Sequence, residues 1–193
     1  MSQTSASQIS APHPTLATPR LRLRPFRLED VDAMHECYGN AEAMRFWNRP
    51  AHRRRSETER VVRRSMAFTP ARRLVWAVAE AGSDRCLGMV NYHNADLKQR
   101  HAEIGYILAP AWWGRGYAAE AVGALLGHCF GVARFHRVQA VIDPENAASR
   151  RLAERFGFRL EGVLRETILL GGEWRDDCVY GLLAREWTGA AGA

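Results

Sequence analysis

Gly114-Arg115-Gly116 marks the point in this chain where residue types and spacing first suggest chemistry. Before it, residues 104–109 read as a buried strand that Pro110 stops. After it, Tyr117 opens a helix whose apolar positions fall at Ala118, Val122, Leu125, Leu126, Cys129 and Phe130. Strand, glycine loop and helix together make an anion cradle. The first N–H groups of a helix have no internal partner and lie at the positive end of its dipole, so phosphate oxygens can accept from them. Glycine at 114 and 116 permits positive φ and leaves no Cβ in the way. A plain turn would use the same glycines. The loop also matches no nucleotide fingerprint, lacking both the Lys-Ser/Thr of the Walker loop and the third glycine of the dinucleotide motif.

The elements that must position this loop follow from the hydrophobic pattern. Residues 21–26 alternate apolar and basic side chains, which predicts a half-exposed strand, at an edge because of Pro25. Glu29 and Asp30 open a helix to about Tyr38, with Val31, Met34, Cys37 and Tyr38 on one face. A helical turn at 41–47, a basic loop at 48–56 and a helix over 57–68 come next. Strands at 74–80, 86–93 and 101–109, joined by polar turns, predict an antiparallel meander. The helix at 117–130 then crosses over to a β-branched strand at 138–142, so the sheet is expected to be mixed. In the stretch 143–158, Asn146 fits a helix N-cap, Leu152 and Phe156 face the core, and Gly157 fits the left-handed position that ends the helix.

Composition bounds the class. With 193 residues, 47% of them hydrophobic, the chain suits one ordinary domain. The expected layout is a loose Ser/Thr/Ala/Pro-rich tail over 1–19, a single domain over 20–188 and a short tail over 189–193. No run is long enough for a membrane span. The four cysteines are widely spaced in or beside apolar segments, which predicts buried thiols, no metal and a cytoplasmic protein. The net charge of +6 is almost all arginine, Lys98 being the sole lysine. Basic and aromatic residues do not interleave along any element, which argues against a nucleic-acid surface, though the field would favour a polyanionic small ligand.

Three segments in order, IGYILAPAWWGRGYAAEA, NAASRRLAERFGFRLEG and GEWRDDCVYGLL, resemble the GNAT superfamily of N-acetyltransferases, in particular its RimJ/RimL-like branch. The resemblance runs from about Leu21 to Trp187. It implies an α/β (α+β) fold with a central mixed, twisted sheet flanked by helices, whose middle parallel strands, near 101–109 and 138–142, splay apart to receive acetyl-CoA. The pantetheine would pair with backbone of Ile107 and Leu108. The pyrophosphate would meet the N–H groups of Gly114, Arg115, Gly116, Tyr117 and Ala118, which is the cradle read from the residues themselves. Trp113 departs from the family's Gln or Arg at that position, and Ala119 stands where many relatives have Thr.

By the same resemblance, Asn146 contacts the pantetheine region and Ser149 donates near the thioester sulfur, where a leaving thiolate needs a hydrogen bond. A first-turn serine that only satisfies helix N–H groups is the alternative. Glu103, beside the splay, is the candidate base, with a carboxyl expected to be raised by partial burial, or else a structural carboxylate. Glu161, Glu166, Asp176 and Asp177 in the final hairpin are rivals. Trp47, Arg49, His52 and the run Arg53-Arg54-Arg55 are expected on the acceptor side, or on a solvated face. The expected activity is direct acetyl transfer to a primary amine, either a protein N-terminal α-amine or a small molecule, by a monomer or homodimer. A non-catalytic acyl-CoA-binding or regulatory module and an RNA- or ribosome-associated basic protein are the competing readings.

Overall fold

A computed structural model describes residues 13–67 and 70–189. Eight strands form one sheet in the order β1-β2-β3-β4-β5-β6-β8-β7. The strands are β1 (Leu16–Ala17), β2 (Leu21–Arg24), β3 (Leu74–Glu80), β4 (Cys86–Asp96), β5 (His101–Leu108), β6 (Arg137–Ile142), β7 (Arg159–Leu170) and β8 (Glu173–Leu183). Four α-helices accompany them: α1 (Val31–Tyr38), α2 (Arg55–Met66), α3 (Tyr117–Gly127) and α4 (Ala147–Arg155). The expected meander is β3-β4-β5, and β6 joins β5 in parallel.

The sheet is buried on both faces around its centre, and β3 shows why. Leu74, Trp76 and Val78 point to one side, where α3 brings Val122, Leu125 and Leu126. Val75 and Ala77 point to the other, where α1 and α2 bring Val31, Met34, Cys37 and Val62. A strand apolar at nearly every position is what two covered faces demand. All four cysteines are free and buried. No described helix is long and apolar enough to cross a membrane.

The structure corrects several expectations. The strand β2 is not at the edge, because β1 pairs outside it, and Arg24 is buried, not half-exposed. Its guanidinium donates to both carboxylate oxygens of Asp30, at 2.8 and 2.9 Å, and to Asp84 at 3.0 Å. Burying that charge is tolerable only because it is fully paired. The segment expected to be a loose tail up to 19 is held from His13 onward, by His13 against the Val75 carbonyl and by β1. Residues 1–12 and 190–193 of the expected tails, and Phe68 at the end of the expected second helix, lie outside the described residues. The helix expected over 117–130 is α-helical to Gly127 and then widens into a π turn over His128–Val132.

The middle of the sheet positions the site. Strands β5 and β6 pair only at His101↔Arg137, Ala102↔Val138 and Glu103↔Gln139. Beyond Glu103, β5 follows β4 as far as Leu108 while β6 follows β8, so the two part and expose backbone between them.

Candidate functional site

The parting strands open two adjoining cavities, and the first contains the glycine loop. It measures about 360 Å³ and is lined by Ile107, Leu108, Trp113, Gly114, Gly116, Tyr117, Ala118, Asn146 and Ser149, among others. Gly114 and Gly116 both adopt left-handed backbone, with φ of 72° and 78°, and Gly116 caps the start of α3. The first-turn residues of α3, whose amides have no intrahelical partners, line the cavity at Tyr117 and Ala118. Ile107, Leu108, Trp112 and Leu152 contribute apolar wall, and the buried Trp112 Nε1 has no partner among the described residues. Amides and positive φ at one end, with an apolar channel behind, fit a long ligand that carries phosphate at its end.

The cradle is braced by Thr18, at the end of the expected tail, and by Arg20, just before the first expected strand. Arg20 donates to Glu120 at 2.6 Å and to the Arg115 carbonyl at 3.0 Å, and its guanidinium lies 4.7 Å from the Tyr117 ring centroid. Thr18 adds a hydrogen bond to Glu120. Burial alone would raise the Glu120 carboxyl, but its bonds to Thr18 and Arg20 outweigh that and hold it below the ordinary range. Arg115 itself does not line the cavity, because its guanidinium lies 5.2 Å from the Trp112 ring centroid. Trp113 uses its indole N–H on the Leu108 carbonyl at 2.8 Å, so that carbonyl already has a partner.

The second cavity, of about 500 Å³, lies between the parted strands and the α1–α2 side. Tyr106, Trp47, Asn146 and Ser149 line both cavities and mark where they meet. The Asn146 side chain accepts from the Ser149 N–H at 3.1 Å, the expected N-cap, and Gly157 ends α4 at a φ of 84°. The Tyr106 hydroxyl lies 3.5 Å from the Ser149 carbonyl, and burial pushes its phenol up. Trp47 packs edge-on against Tyr38 at 6.1 Å.

Glu103 and Asp177 both line this second cavity. One Glu103 oxygen is 3.1 Å from His93 Nε2 and the other accepts from Gln139 at 3.2 Å. Burial is the largest influence on the Glu103 carboxyl and would raise it, but His93, Gln139 and Asn94 together outweigh burial, so it lies below its ordinary value. This corrects the expectation of a raised carboxyl: its negative form is solvated by the protein. His93 is the residue that sequence reasoning missed. A carboxylate can only accept, so His93 Nε2 carries the hydrogen and, in the neutral ring, Nδ1 is left as the acceptor. That Nδ1 is buried and has no partner among the described residues. In sequence, 86–93 reads only as one strand of the meander, which cannot show that position 93 stands opposite 103.

The remaining candidates separate. Asp177 accepts from Thr167 at 2.7 Å within the cavity. Glu166 does not reach either cavity: it is exposed on a bulge between Leu164 and Ile168, and its N–H donates to Asp176. Glu161 is held by Arg137 at 2.6 Å. His52 also lies outside both cavities. Its ring contacts the Thr58 hydroxyl at 2.9 Å and packs 5.2 Å from Tyr38, and burial lowers its imidazole. Arg55 pairs with Asp32 on a solvated face, whereas Arg49 lines the second cavity. Among the described residues, no group of three or more His, Cys, Asp or Glu side chains is placed to hold a metal ion.

Residues 20–159 match the acetyltransferase (GNAT) domain family. The chain is 31% identical over 178 residues to the uncharacterized N-acetyltransferase p20 of Bacillus licheniformis, covering 91% of this chain and 99% of the relative. It is 32% identical over 103 residues to the [ribosomal protein uS5]-alanine N-acetyltransferase of Escherichia coli, a match covering 53% of each. A GNAT-family acetyltransferase structure from Bacillus anthracis superposes with a TM-score of 0.81 at 28% identity, over 90% of this chain and 100% of that one. With the family match spanning both the cradle and the parted strands, this chain belongs to the GNAT family of N-acetyltransferases.

Proposed function

We propose that the chain transfers acetyl from acetyl-CoA directly to a primary amine, as a single domain over 20–188 and in the cytoplasm. The observation that carries this reading is the meeting of the two cavities at Tyr106, Asn146 and Ser149, so that a donor lying over the glycine cradle and an amine in the second cavity share one opening. Acetyl-CoA, when bound, supplies a thioester carbonyl open to attack by the amine and a thiolate leaving group. The loop over Gly114, Gly116, Tyr117 and Ala118 would hold its phosphates by backbone amides, with Ile107, Leu108 and Asn146 along the pantetheine.

The chain's own residues would manage protons and charge. An alkyl amine with a reference pKa near 10.4 is only about 0.04% neutral at pH 7, whereas an α-amine near 7.8 is about 15% neutral, so an alkyl acceptor needs a base far more. His93 Nδ1 is the proposed proton acceptor and Glu103 its orienting partner, holding the tautomer and the charge that forms. Asp177 is the alternative base, being buried beside Thr167 in the same cavity. The Tyr106 phenol, kept protonated by burial, and the Ser149 hydroxyl would be the donors to the leaving thiolate. A backbone N–H in the splay would meet the developing oxyanion.

Release of CoA thiol from acetyl-CoA on addition of amines tests this directly. A panel of alanine-ended peptides, aminoglycosides, polyamines and amino acids is expected to contain at least one acceptor that raises release above hydrolysis. Acetyl-CoA binding with no amine-dependent release from any member would favour the regulatory module. RNA affinity that falls steeply with salt would favour the ribosome-associated reading.

A further inference from the structure

We propose that the acceptor is a small zwitterion, an amine that also carries a carboxylate or phosphate, with the anion bound by Arg73 and Arg64. This rests on the transferase reading above and names the substrate class of that site. The second cavity carries both signs of charge. It is lined by Glu103 and Asp177, neither of which is paired with a guanidinium among the described residues, while Asp143 in the same lining is neutralised by Arg175 at 3.0 Å. It is also lined by Arg49, by Arg64 from α2 and by Arg73, which leads into β3 one residue before Leu74, the partner of Tyr92.

None of these three arginines forms an ion pair with a described carboxylate. The contrast within one helix is informative, since Arg55 and Arg63 of α2 both pair with Glu59 while Arg64, turned to the cavity, does not. Arg73 is half-buried and, among the described residues, donates to the Ser65 hydroxyl at 3.0 Å. Burial, with Arg64 and Arg49 close by, lowers its guanidinium below the ordinary value despite the opposing influence of Tyr38. A half-buried guanidinium facing a cavity, without a counter-ion and next to like charge, is satisfied best by an oxyanion from outside the chain. An acceptor held there by its anion would keep its amine within the same cavity, near His93 and Glu103 on the neighbouring strands. A polyamine or a basic peptide would have to place a second cation against the arginine wall.

The test uses the full chain, acetyl-CoA and matched acceptors: ω-amino carboxylates of increasing length, their methyl esters, 2-aminoethyl phosphate, spermidine and a basic alanine-ended peptide, each read by CoA release. The best anionic acceptor is expected to exceed its neutral counterpart in kcat/KM by about 10- to 100-fold, the range expected for charge-assisted hydrogen bonds. Whether the carboxylates or the phosphate lead identifies the anion. In Arg73→Met the acid-to-ester ratio should fall toward one. Arg64→Glu, an exposed change that keeps the test intact if Arg73→Met fails to fold, should lower the same ratio. A higher kcat/KM for spermidine, the basic peptide or the esters than for any anionic amine would overturn the zwitterion while leaving transfer intact, as would a ratio unchanged in both variants. No release from any amine would remove the transferase reading itself.

Discussion

The two cavities that meet at Ser149 are made of different materials. The cradle is local and largely backbone: one loop and the first turn of α3, shaped by left-handed glycines at 114 and 116. The second cavity is distant and side-chain-built, drawing Arg49 from a loop, Arg64 from α2, His93 from β4, Glu103 from β5 and Asp177 from β8 into one space. A backbone site binds whatever presents phosphate oxygens and tolerates side-chain change around it. A side-chain site can be altered one residue at a time, so relatives can keep the donor while changing the amine.

The largest expected break in that comparison lies at the proton pathway. His93→Gln should lower kcat by roughly 10²–10⁴ at pH 7, the range for loss of a general base, with little change in acetyl-CoA binding. Glu103→Gln should cost less than His93→Gln if Glu103 orients and does not itself take the proton; the reverse order in single-turnover rates would make Glu103 the direct base. The deficit should shrink as pH approaches the amine's own pKa, because solvent then supplies neutral nucleophile. Glu103→Gln also has a stability signature. The folded carboxyl lies below its reference of 4.5, so its contribution is present above about that pH and is lost as pH falls through the lower folded value. Thermal melts of Glu103→Gln should therefore lose less stability than wild type on acidification through that window.

A smaller break is expected in the cradle. Gly116→Val places a β-branched side chain at a φ of 78°, where strain is of order 1–3 kcal/mol, and acetyl-CoA affinity should fall by about 10- to 100-fold. An added Cβ there would also come within 3.4 Å of the Arg20 guanidinium that braces the loop. Calorimetric titration checks this, and an unchanged acetyl-CoA affinity in a folded variant would remove the loop from the site. The smallest effect is expected at Arg115, whose side chain lies on Trp112. Arg115→Ala should weaken acetyl-CoA by no more than about 5-fold, as for an exposed charge, and less at high salt.

How much could be read in advance follows this same division. Gly114, Gly116, Asn146 and Gly157 declare themselves because each answers a demand of the local chain: positive φ, an N-cap or a helix stop. The meander of β3-β4-β5 and the crossover through α3 were legible for the same reason, since hydrophobic period and turn residues act over short spans. His52 and Glu166 were misplaced because their residue types suit an acceptor site while their neighbours in space, Tyr38 and Thr58 for one and an exposed bulge for the other, are invisible in the pattern. Thr18 fell within the expected tail, and Arg20 drew no role, because their partners, Glu120 and the Arg115 carbonyl, lie far along the chain.

What the sequence determined by itself is the mixed sheet, the left-handed glycine loop before α3 and, through three segments in order, the family. Only the tertiary structure decided which groups share the second cavity. Register sets His93 opposite Glu103, the parting of β5 from β6 opens the space beside them, and the packing of α2 on the sheet turns Arg64 inward. Backbone conformation depends on adjacent residues and is written locally, whereas the charge and the proton partners of a cavity are sums over segments that meet only when the chain has folded.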